Sequence, residues 1–303
     1  MNSQQKLERK VKQTLKEINI NKKSKIIVAL SGGKDSSVVA YLLKKFGYNI
    51  EGFHIDLKIG KYSEECLEKV REISEMLEIK LHVYDMKKEM GSGMCYIRTA
   101  IQGSYKANKK GQLKNCAICG VIKKWIMNKE ARKIKGAKYI ATGHNLDDEA
   151  QTFLLNILKG SPKLSANSGA ITKNPPDQKG KFIPRIKPLF YILEEDVKNY
   201  SLAKKLPVNY DKCPCALDSY RIQLRNFLEK MPGKDKENIM NNMDKIYPKI
   251  ERLKDTENLG FSVSKTFKEN KKFLTERIQY CKNCGEPSRN KICKKCELMN
   301  LSN

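Results

Sequence analysis

A short run of serines, glycines and one lysine could bind phosphate. It reads Ser31-Gly-Gly-Lys-Asp-Ser-Ser37 and separates a short apolar stretch from a stretch with helical character. A glycine loop at such a junction exposes backbone N–H groups at the positive end of a helix dipole, and its glycines let a phosphate approach closely. It is not a Walker A loop, because Asp35 follows Lys34 and Val28 stands where the first glycine would be. The sequence predicts a phosphate-binding loop; the alternative is a tight turn without a ligand.

Two groups of cysteines near the middle of the chain could bind a metal or carry redox chemistry. Cys116 and Cys119 form a CxxC at a predicted helix start, where the thiol pKa is lowered, and Cys213 and Cys215 form a Cys-Pro-Cys. A third cysteine that is far from a CxxC in sequence but near it in space favours a cluster over a simple dithiol. Cys66 and Cys95 stand alone and are predicted to be ordinary residues.

Four cysteines near the end of the chain have the spacing of a structural zinc site. They form two CxxC pairs separated by eight residues, and Zn²⁺ would tie together a tail too short to build its own core. The sequence predicts that Zn²⁺ binds Cys281, Cys284, Cys293 and Cys296.

The elements that must position these residues alternate between strands and helices. The apolar run Ile26–Leu30 lacks polar alternation, which is typical of a strand buried on both faces in a parallel sheet. Ligands bind such doubly wound sheets at the carboxyl ends of the strands. The predicted strands are 26–30, 49–55, 80–84 and 138–142, and the helices of this part are 5–19, 63–77 and 119–135, beside the one that follows the glycine loop.

Composition changes along the chain predict four regions. Residues 161–181 show no period and are rich in turn formers, which predicts a mobile loop. Helices are predicted at 193–205, 217–231 and 236–254. The regions are a basic N-terminal helix (1–24), a nucleotide-binding α/β domain (25–200), a basic helical region (201–275) and a zinc-binding tail (276–303).

The charge balance favours a polyanionic partner. With 60 Lys and Arg against 34 Asp and Glu, the net charge is +26, and basic side chains that neutralise phosphates release counterions. Nucleic acid is the leading candidate; the alternative is a surface merely solvated by lysines. The N-terminus has no apolar targeting segment and no window is long enough to span a membrane, so we expect a cytoplasmic protein with reduced cysteines.

Several motifs taken together resemble a known family. Ser31–Ser36 matches the SGGxDS pyrophosphate loop of the ATP pyrophosphatases, which adenylate a carbonyl oxygen, and Gly143–Glu149 (GHNLDDE) is similar to the second motif of their tRNA-modifying branch. The CxxC followed by Lys123, the stretch Arg185–Leu189 and Cys213-Pro narrow the resemblance to tRNA 2-thiolation enzymes of the TtcA/TtuA type. It covers residues 25–225, and the paired CxxC tail resembles archaeal and eukaryotic 2-thiouridine members.

The resemblance implies a Rossmann-like PP-loop fold and an ATP-dependent tRNA uridine 2-sulfurtransferase. Such an enzyme adenylates the C2 oxygen of an extruded uridine, so that AMP leaves and sulfur replaces the oxygen. Three alternatives are a tRNA cytidine 2-thiolase, an amide-forming adenylase with the same loop, and a non-catalytic tRNA-binding subunit of a thiolation complex. The intact SGGKDS and Asp147 argue against the last.

The resemblance also assigns residues to the ATP site. His54, Ile55 and Asp56 would line the adenosine pocket, or form an ordinary strand end. Asp147 would hold Mg²⁺ or orient the uridine, or else serve as the N-cap of a helix from Asp148. The implied ATP-binding residues are Ser31, Gly32, Gly33, Lys34, Asp35, Ser36, His54, Ile55, Asp56, Gly143 and Asp147, and the implied catalytic residues are Lys123, Asp147, Cys116, Cys119 and Cys213.

By the same resemblance, Cys116, Cys119 and Cys213 hold a [4Fe-4S] cluster with one iron open to an extra sulfide. The sequence departs from the family at Cys215, where an aromatic residue is usual. Two alternatives follow: a closed four-thiolate zinc site that includes Cys215, or Cys119 as a persulfide carrier without a cluster.

The implied partners are tRNA and a sulfur donor. The donor could be sulfide, a persulfide or a ubiquitin-like thiocarboxylated carrier protein. The wobble uridine is our first choice of target and the T-loop uridine the second, and a homodimer is possible. Family members often carry a zinc module before the catalytic domain; the N-terminal residues here contain no cysteine, so we expect this module to be absent.

Overall fold

The computed structural model describes residues 2–108, 113–160, 165, 168–172, 180–216, 220–252 and 279–300, and a five-stranded sheet lies at its centre. The strands are β1 (Lys25–Ala29), β2 (Ile50–Asp56), β3 (Leu81–Asp85), β4 (Ala137–Ala141) and β5 (Arg185–Ile186). All neighbours are parallel, in the order β3-β2-β1-β4-β5. The predicted doubly wound α/β fold is therefore confirmed.

Helices cover both faces of the sheet. On one face lie α1 (Ser3–Glu17), α2 (Lys34–Lys45), α3 (Gly60–Met76) and α8 (Glu194–Ala203); on the other lie α5 (Met94–Ala107) and α6 (Asn115–Lys133). Within β1, Ile26 and Val28 pack with the first set of helices and Ile27 with the second. All three are fully buried, which explains why this strand has no polar alternation.

The remaining elements flank this core. They are α4 (Met86–Met90), α7 (Leu146–Leu158), α9 (Tyr220–Glu229) and α10 (Gly233–Arg252). The C-terminal tail adds an antiparallel pair, β6 (Gln279–Tyr280) with β7 (Pro287–Ser288), and α11 (Lys294–Asn300). Helix α7 contacts both α9 and α10, so the helical region packs beside the end of β4.

The structure adds two helices that sequence analysis did not assign, and several predicted helices begin two to four residues earlier than expected. Helices α4 and α5 occupy the stretch after β3. Within α5, Ile97, Ile101 and Tyr105 are buried and recur at helical spacing, a pattern that sequence analysis did not use. Helix α6 begins at Asn115, so the CxxC lies in its first two turns. Helix α7 begins at Leu146 because Asn145 forms a capping box with Asp148.

The N-terminal helix is part of the central packing. Its buried residues Leu7, Val11 and Leu15 belong to the same apolar cluster as β1, and Tyr200 of α8 donates a hydrogen bond to Glu8 at 2.7 Å. Most of the predicted loop 161–181 lies outside the described residues, as do residues 253–278. Within the described residues, no helix combines the length and apolarity needed to cross a membrane.

Candidate active site

The phosphate-binding loop lies at the carboxyl end of β1 and leads into α2. Ser36 Oγ accepts a hydrogen bond from the Ser31 N–H at 3.1 Å and donates one to the Gly33 carbonyl at 3.0 Å. Gly32 has a φ of +85°, and a Cβ there would lie 2.8 Å from the Cys66 carbonyl oxygen. Glycine is therefore required at this position, and the backbone of α3 fixes the shape of the loop from outside.

Lys34 lies between two carboxylates at this loop. Its Nζ is 3.0 Å from Asp35 Oδ2 and 2.9 Å from Glu194 Oε1, and Arg225 also binds Glu194 at 3.1 Å. Burial acts to lower the pKa of Lys34, but the two carboxylates raise it above its usual value. Lys34 is thus a cation at neutral pH beside a helix N-terminus, an arrangement that suits a polyphosphate.

The residues that follow β4 touch this loop directly. A Cβ on Gly143 would lie 2.8 Å from the backbone of Asp35 and Ser36, so the second motif needs glycine in order to approach. Asn145 Nδ2 donates a hydrogen bond to Asp35 Oδ1 at 3.1 Å. The two motifs meet because β1 and β4 are neighbours whose carboxyl ends share one edge of the sheet.

Asp147 connects the second motif to two later helices. Its Oδ2 accepts a hydrogen bond from the Glu194 backbone N–H at 2.8 Å, and its Oδ1 is 2.6 Å from Lys236 Nζ. The alternative prediction of an N-cap for its own helix is wrong, because Asn145 performs that role. Asp147 instead caps the start of α8.

Asp148, which sequence analysis did not select, lies close to the loop carboxylate. Burial and the negative charge of Asp35 raise the pKa of Asp148 to about 6. Adjacent carboxylates supply the hard oxygen ligands that Mg²⁺ prefers. Asp35 and Asp148 have the chemistry to hold that ion, although both oxygens of Asp35, like those of Asp147, have protein partners in this structure.

His54, at the end of β2, has one unused nitrogen. The ring is buried, and its Nδ1 lies 2.9 Å from the Leu30 carbonyl, which can only accept, so Nδ1 carries the proton. Burial lowers the pKa of His54, and the neutral ring leaves Nε2 as an acceptor without a partner among the described residues. A donor from adenosine would satisfy it. By contrast, Asp56 pairs with Lys58 at 2.8 Å, and Ile55 packs into the core.

Five cysteines lie near one another beside the second apolar face. Cys116 and Cys119 are on α6, Cys95 is on α5, and Cys213 and Cys215 follow α8. All but Cys116, which is exposed, pack against the same apolar cluster. The segment that carries Cys213 and Cys215 is connected to the phosphate loop. The backbone N–H of Asn209, shortly before this segment, donates a hydrogen bond to the Gly32 carbonyl at 2.8 Å.

Positive side chains act on these thiols. Burial raises the pKa of Cys119 and of Cys213, and the charge of Lys123 opposes that rise at both. At Cys215 burial also acts upward, but hydrogen bonds with Arg98 and Cys95 lower its pKa. The Sγ atoms of Cys95 and Cys215 are 3.8 Å apart. The fold thus places Cys95, which sequence analysis left as an ordinary residue, in the central group.

The central cysteines do not converge as closely as ligands of a single ion would. Among the residues the structure describes, the tail holds the one group of three or more metal-ligating side chains that meets this condition. Thiolates around a cubane cluster lie farther apart than those around one ion, because each binds a different iron. The closed zinc alternative thus finds no support in the described residues, and the assignment of a cluster to Cys116, Cys119 and Cys213 stays a prediction.

A group of cations surrounds the second motif, and we name it the basic cluster. Burial and the charges of the other members lower the pKa of Lys124, and Arg185 Nη2 contacts the Lys124 carbonyl at 3.4 Å. Desolvation by the surrounding protein and these charges, led by Lys187, lower the pKa of His144 to about 4, although part of the side chain still reaches solvent, so His144 is neutral. No local pattern in the sequence indicates this cluster, because its members come from separate parts of the chain, at α6, β5, α9 and the tail. Its members are Lys124, Arg185, Lys187, Arg221 and Arg289.

The tail brings its four cysteines together as predicted. The Sγ atoms of Cys281, Cys284, Cys293 and Cys296 all lie within 4.8 Å of one another. Burial acts to raise the pKa of Cys281, but backbone N–H groups, including that of Cys293, lower it to about 6. Burial and the neighbouring thiols raise the pKa of Cys296, because anionic sulfurs this close repel each other. A cation that binds four thiolates, as Zn²⁺ does, removes this conflict.

The tail is fastened to α6, the helix that carries the CxxC. Arg132 Nη2 lies 2.6 Å from Glu286 Oε1, and its Nη1 lies 3.1 Å from Oε2, so the pair is bidentate. Trp125 lies between Lys129 and Lys295, whose Nζ atoms are 4.8 Å and 4.5 Å from its ring centroids. The two cysteine groups therefore share one rigid helix.

Comparison with known proteins agrees with this site. The model of the PP-loop domain family matches residues 3–231. The chain is 35% identical over 299 residues to the tRNA-5-methyluridine(54) 2-sulfurtransferase of Pyrococcus horikoshii, covering 97% of this chain and 84% of that protein. It is 32% identical to the cytoplasmic tRNA 2-thiolation protein 1 of Drosophila mojavensis, covering 91% and 73%. The U34-tRNA thiolase NcsA of Methanococcus maripaludis, solved with its [4Fe-4S] cluster, superposes with a TM-score of 0.72 at 26% identity, covering 98% and 87%. The chain thus belongs to the PP-loop family and, within it, to the tRNA 2-thiolation enzymes that its motifs resemble.

Proposed function

We propose that this protein is an ATP-dependent tRNA uridine 2-sulfurtransferase. The observation that carries the proposal is that the phosphate-binding loop contacts both the second motif and the segment that leads to Cys213. Gly143 and Asn145 of the second motif touch the loop on one side. The segment that leads to Cys213 is hydrogen-bonded to Gly32 on the other. ATP bound at the loop would therefore lie between the uridine-activating motif and the sulfur-handling cysteines.

The loop residues would activate the uridine. Backbone N–H groups of residues 31–36 and the Lys34 cation bind the phosphates, while Asp35 and Asp148 hold Mg²⁺. Lys34 then exchanges its carboxylate partners for phosphate oxygens. The uridine C2 oxygen attacks the α-phosphorus and pyrophosphate leaves, which makes AMP the leaving group for the second step. His54 Nε2 accepts a hydrogen bond from the adenosine.

The cysteines on α6 and after α8 would handle the sulfur. Cys116, Cys119 and Cys213 would bind the [4Fe-4S] cluster, which would supply an iron open to an exogenous sulfide. Lys123 lies beside Cys119 and Cys213, where its charge offsets the negative charge of thiolates and sulfide. Sulfur attack at C2 expels AMP and completes the exchange.

The tail and the basic cluster would bind the tRNA. Zn²⁺ bound by the four tail cysteines would fold the segment that carries Arg289. This fold places Arg289 in the basic cluster, beside the cations of α6, β5 and α9. These side chains pair with backbone phosphates around the extruded uridine. The relatives that act on position 54 and on position 34 both match this chain, so the wobble uridine stays a prediction.

The proposal is tested with protein purified without oxygen and incubated with ATP, sulfide and bulk tRNA. We expect AMP to form in equal amounts with 2-thiouridine, and Asp35→Ala to abolish AMP formation while tRNA affinity stays within a few-fold of the parent. The control is Lys61→Ala, an exposed change on α3. Thiolated cytidine would favour the cytidine 2-thiolase, and tRNA binding without AMP would favour the silent subunit. Mapping thiolated nucleosides in tRNA from a deletion strain assigns the position.

A further inference from the structure

Cys95 and Cys215 form a pair of thiols that the proposed reaction does not use. Their Sγ atoms are 3.8 Å apart, although the residues are 120 positions apart in sequence. Both side chains are partly accessible to solvent. A disulfide needs the two sulfurs to close to about 2.0 Å, which is a movement of side chains rather than of helices.

The surrounding residues hold this pair in place. Asn115, the first residue of α6, donates a hydrogen bond from Nδ2 to the Cys215 carbonyl at 3.2 Å. Gln102, on the helix that carries Cys95, donates to Asn115 Oδ1 at 3.0 Å. The Cys215 backbone is therefore fixed relative to α5, and the approach of the two sulfurs is built into the fold.

A cation lies against one member of the pair. The Arg98 side chain, on the same helix as Cys95, lies close enough to Cys215 for its charge to act on that sulfur. Its Nε is buried and has no hydrogen-bond partner among the described residues. Arg98 can therefore offer a hydrogen bond to a second sulfur atom bound at this pair.

We propose that Cys215 and Cys95 form a dithiol site that takes sulfane sulfur from a persulfide donor and releases it as hydrosulfide beside Cys116, Cys119 and Cys213. This inference rests on the proposed function and names the class of its sulfur donor. The terminal sulfur of the donor persulfide is the atom transferred.

The steps balance as two thiol exchanges. The Cys215 thiolate attacks the terminal sulfur of R–S–SH, the donor S–S bond breaks, and R–S⁻ leaves with the electron pair, which yields Cys215–S–SH. The Cys95 thiolate then attacks Cys215 Sγ, forms the Cys95–Cys215 disulfide and expels HS⁻. The sulfane sulfur is reduced to sulfide while the two thiols are oxidised. A thiol reductant returns the disulfide to the dithiol before the next turnover.

The test compares two sulfur sources in a single turnover. Anaerobic protein with its cluster, ATP and tRNA receives either sodium sulfide or glutathione persulfide, with no added reductant. The variants are Cys95→Ser and Cys215→Ser, and Thr99→Ser on the next turn of α5 is the matched control. Absorption of the cluster verifies that each variant is folded and loaded.

We expect both cysteine variants to thiolate tRNA from sulfide within about 2-fold of the parent and to lose about 10-fold or more with the persulfide. In the parent, trypsin after acid quenching should yield peptide 89–98 linked to peptide 213–221 through Cys95 and Cys215, in proportion to the thiolated nucleoside.

Equal use of the persulfide by Cys95→Ser, or a linkage through Cys213 instead of Cys215, would overturn the inference and leave the proposed function intact. If the parent thiolates no tRNA from either source, the proposed function fails. In that case, the linked peptide and the release of HS⁻ from the persulfide still test the dithiol site independently of the proposed function.

Discussion

The protein contains two cysteine groups that start from the same CxxC spacing and differ in almost every physical property. In the tail, three of the four cysteines are buried, and backbone N–H groups point at sulfur, as from Cys293 to Cys281 at 3.2 Å. In the central group, Cys116 is exposed, the sulfurs do not converge on one point, and Lys123 and Arg98 supply cations.

This difference separates a structural site from a reactive one. Closed coordination of one ion by four thiolates would leave no position for a substrate, so the tail cysteines would contribute shape rather than chemistry. An exposed cysteine and nearby cations that act on sulfur favour chemistry instead. The motif CxxC alone does not distinguish the two; burial and the nearby charges do.

The largest expected effect comes from removing a central ligand. Cys119→Ala should bleach the anaerobic protein and reduce thiolation at least ~100-fold, because loss of one of three ligands releases the cluster. AMP formation should persist, since ATP binds at the β1 loop. Cys116→Ala and Cys213→Ala should behave alike, while Cys215→Ala keeps its colour. Iron content, absorption and AMP release measure this, and loss of colour in Cys215→Ala alone would contradict the assignment of the ligands.

Removal of the tail metal should have a smaller effect. Cys293→Ala should lower the zinc content by about one ion per chain and reduce thiolation ~10-fold, because the tail unfolds and Arg289 leaves the basic cluster. Metal analysis, thermal unfolding and thiolation would be compared with Cys66→Ala, a buried cysteine outside both groups. Full thiolation by a zinc-free variant would remove the tail from the proposed mechanism.

Breaking the attachment between the two groups should cost less again. Glu286 is 6% exposed, so Arg132→Met leaves a buried carboxylate with the Asn128 amide as a donor but without its cation, and should destabilise the protein by about 2 kcal/mol. The double variant Arg132→Met, Glu286→Met should recover most of that loss. Denaturant unfolding of the two single variants and the double variant measures the coupling, and strictly additive losses would show that the pair contributes nothing.

The salt dependence of tRNA affinity tests the basic cluster, which lies between the two cysteine groups. Log affinity should fall linearly with log salt, and Arg289→Ala should reduce that slope by about one phosphate contact. The matched control Lys61→Ala, on the opposite face of the sheet from α6, should leave the slope unchanged. Titrations at several salt concentrations decide this, and a flat dependence in the parent would mean that the net charge only solvates the surface.

The smallest effect is a dependence of stability on pH. The pKa of His144 is lowered to about 4 from a usual 6.5, so the folded state binds fewer protons than the unfolded chain. This contribution to the free energy of unfolding is present above pH 6.5 and is lost as the pH falls towards 4. His144 is exposed to solvent, so we expect less than about 1 kcal/mol. His144→Gln should flatten the profile measured by denaturant unfolding.

Local patterns were enough to predict the sheet, the phosphate loop and the convergence of the tail cysteines. The apolar run at β1, the glycines before α2 and the CxxC spacing each concern residues that are close in sequence. The structure adds that Gly143 needs to be glycine because Asp35 occupies the space of its Cβ.

The rest depends on contacts between distant parts of the chain. Cys95 meets Cys215 across 120 residues, and the partners of Asp147 come from α8 and α10. Helix α5 did carry a signal, since Ile97, Ile101 and Tyr105 follow helical spacing, and that stretch could have been assigned. Such long-range packing decides whether a carboxylate can hold Mg²⁺ or instead fastens a helix. The spacing of residues in one sequence does not reveal this packing.

Helix α6 has a consequence for the supply of metals to this protein. Its first turns carry Cys116 and Cys119, its middle carries Lys124, and Trp125 and Arg132 receive the tail, all within a rod about 28 Å long. A tail filled with zinc would therefore hold the same helix that presents the CxxC. A cell starved of zinc would then contain a protein that still forms AMP but thiolates its tRNA about 10-fold less, even with iron in excess.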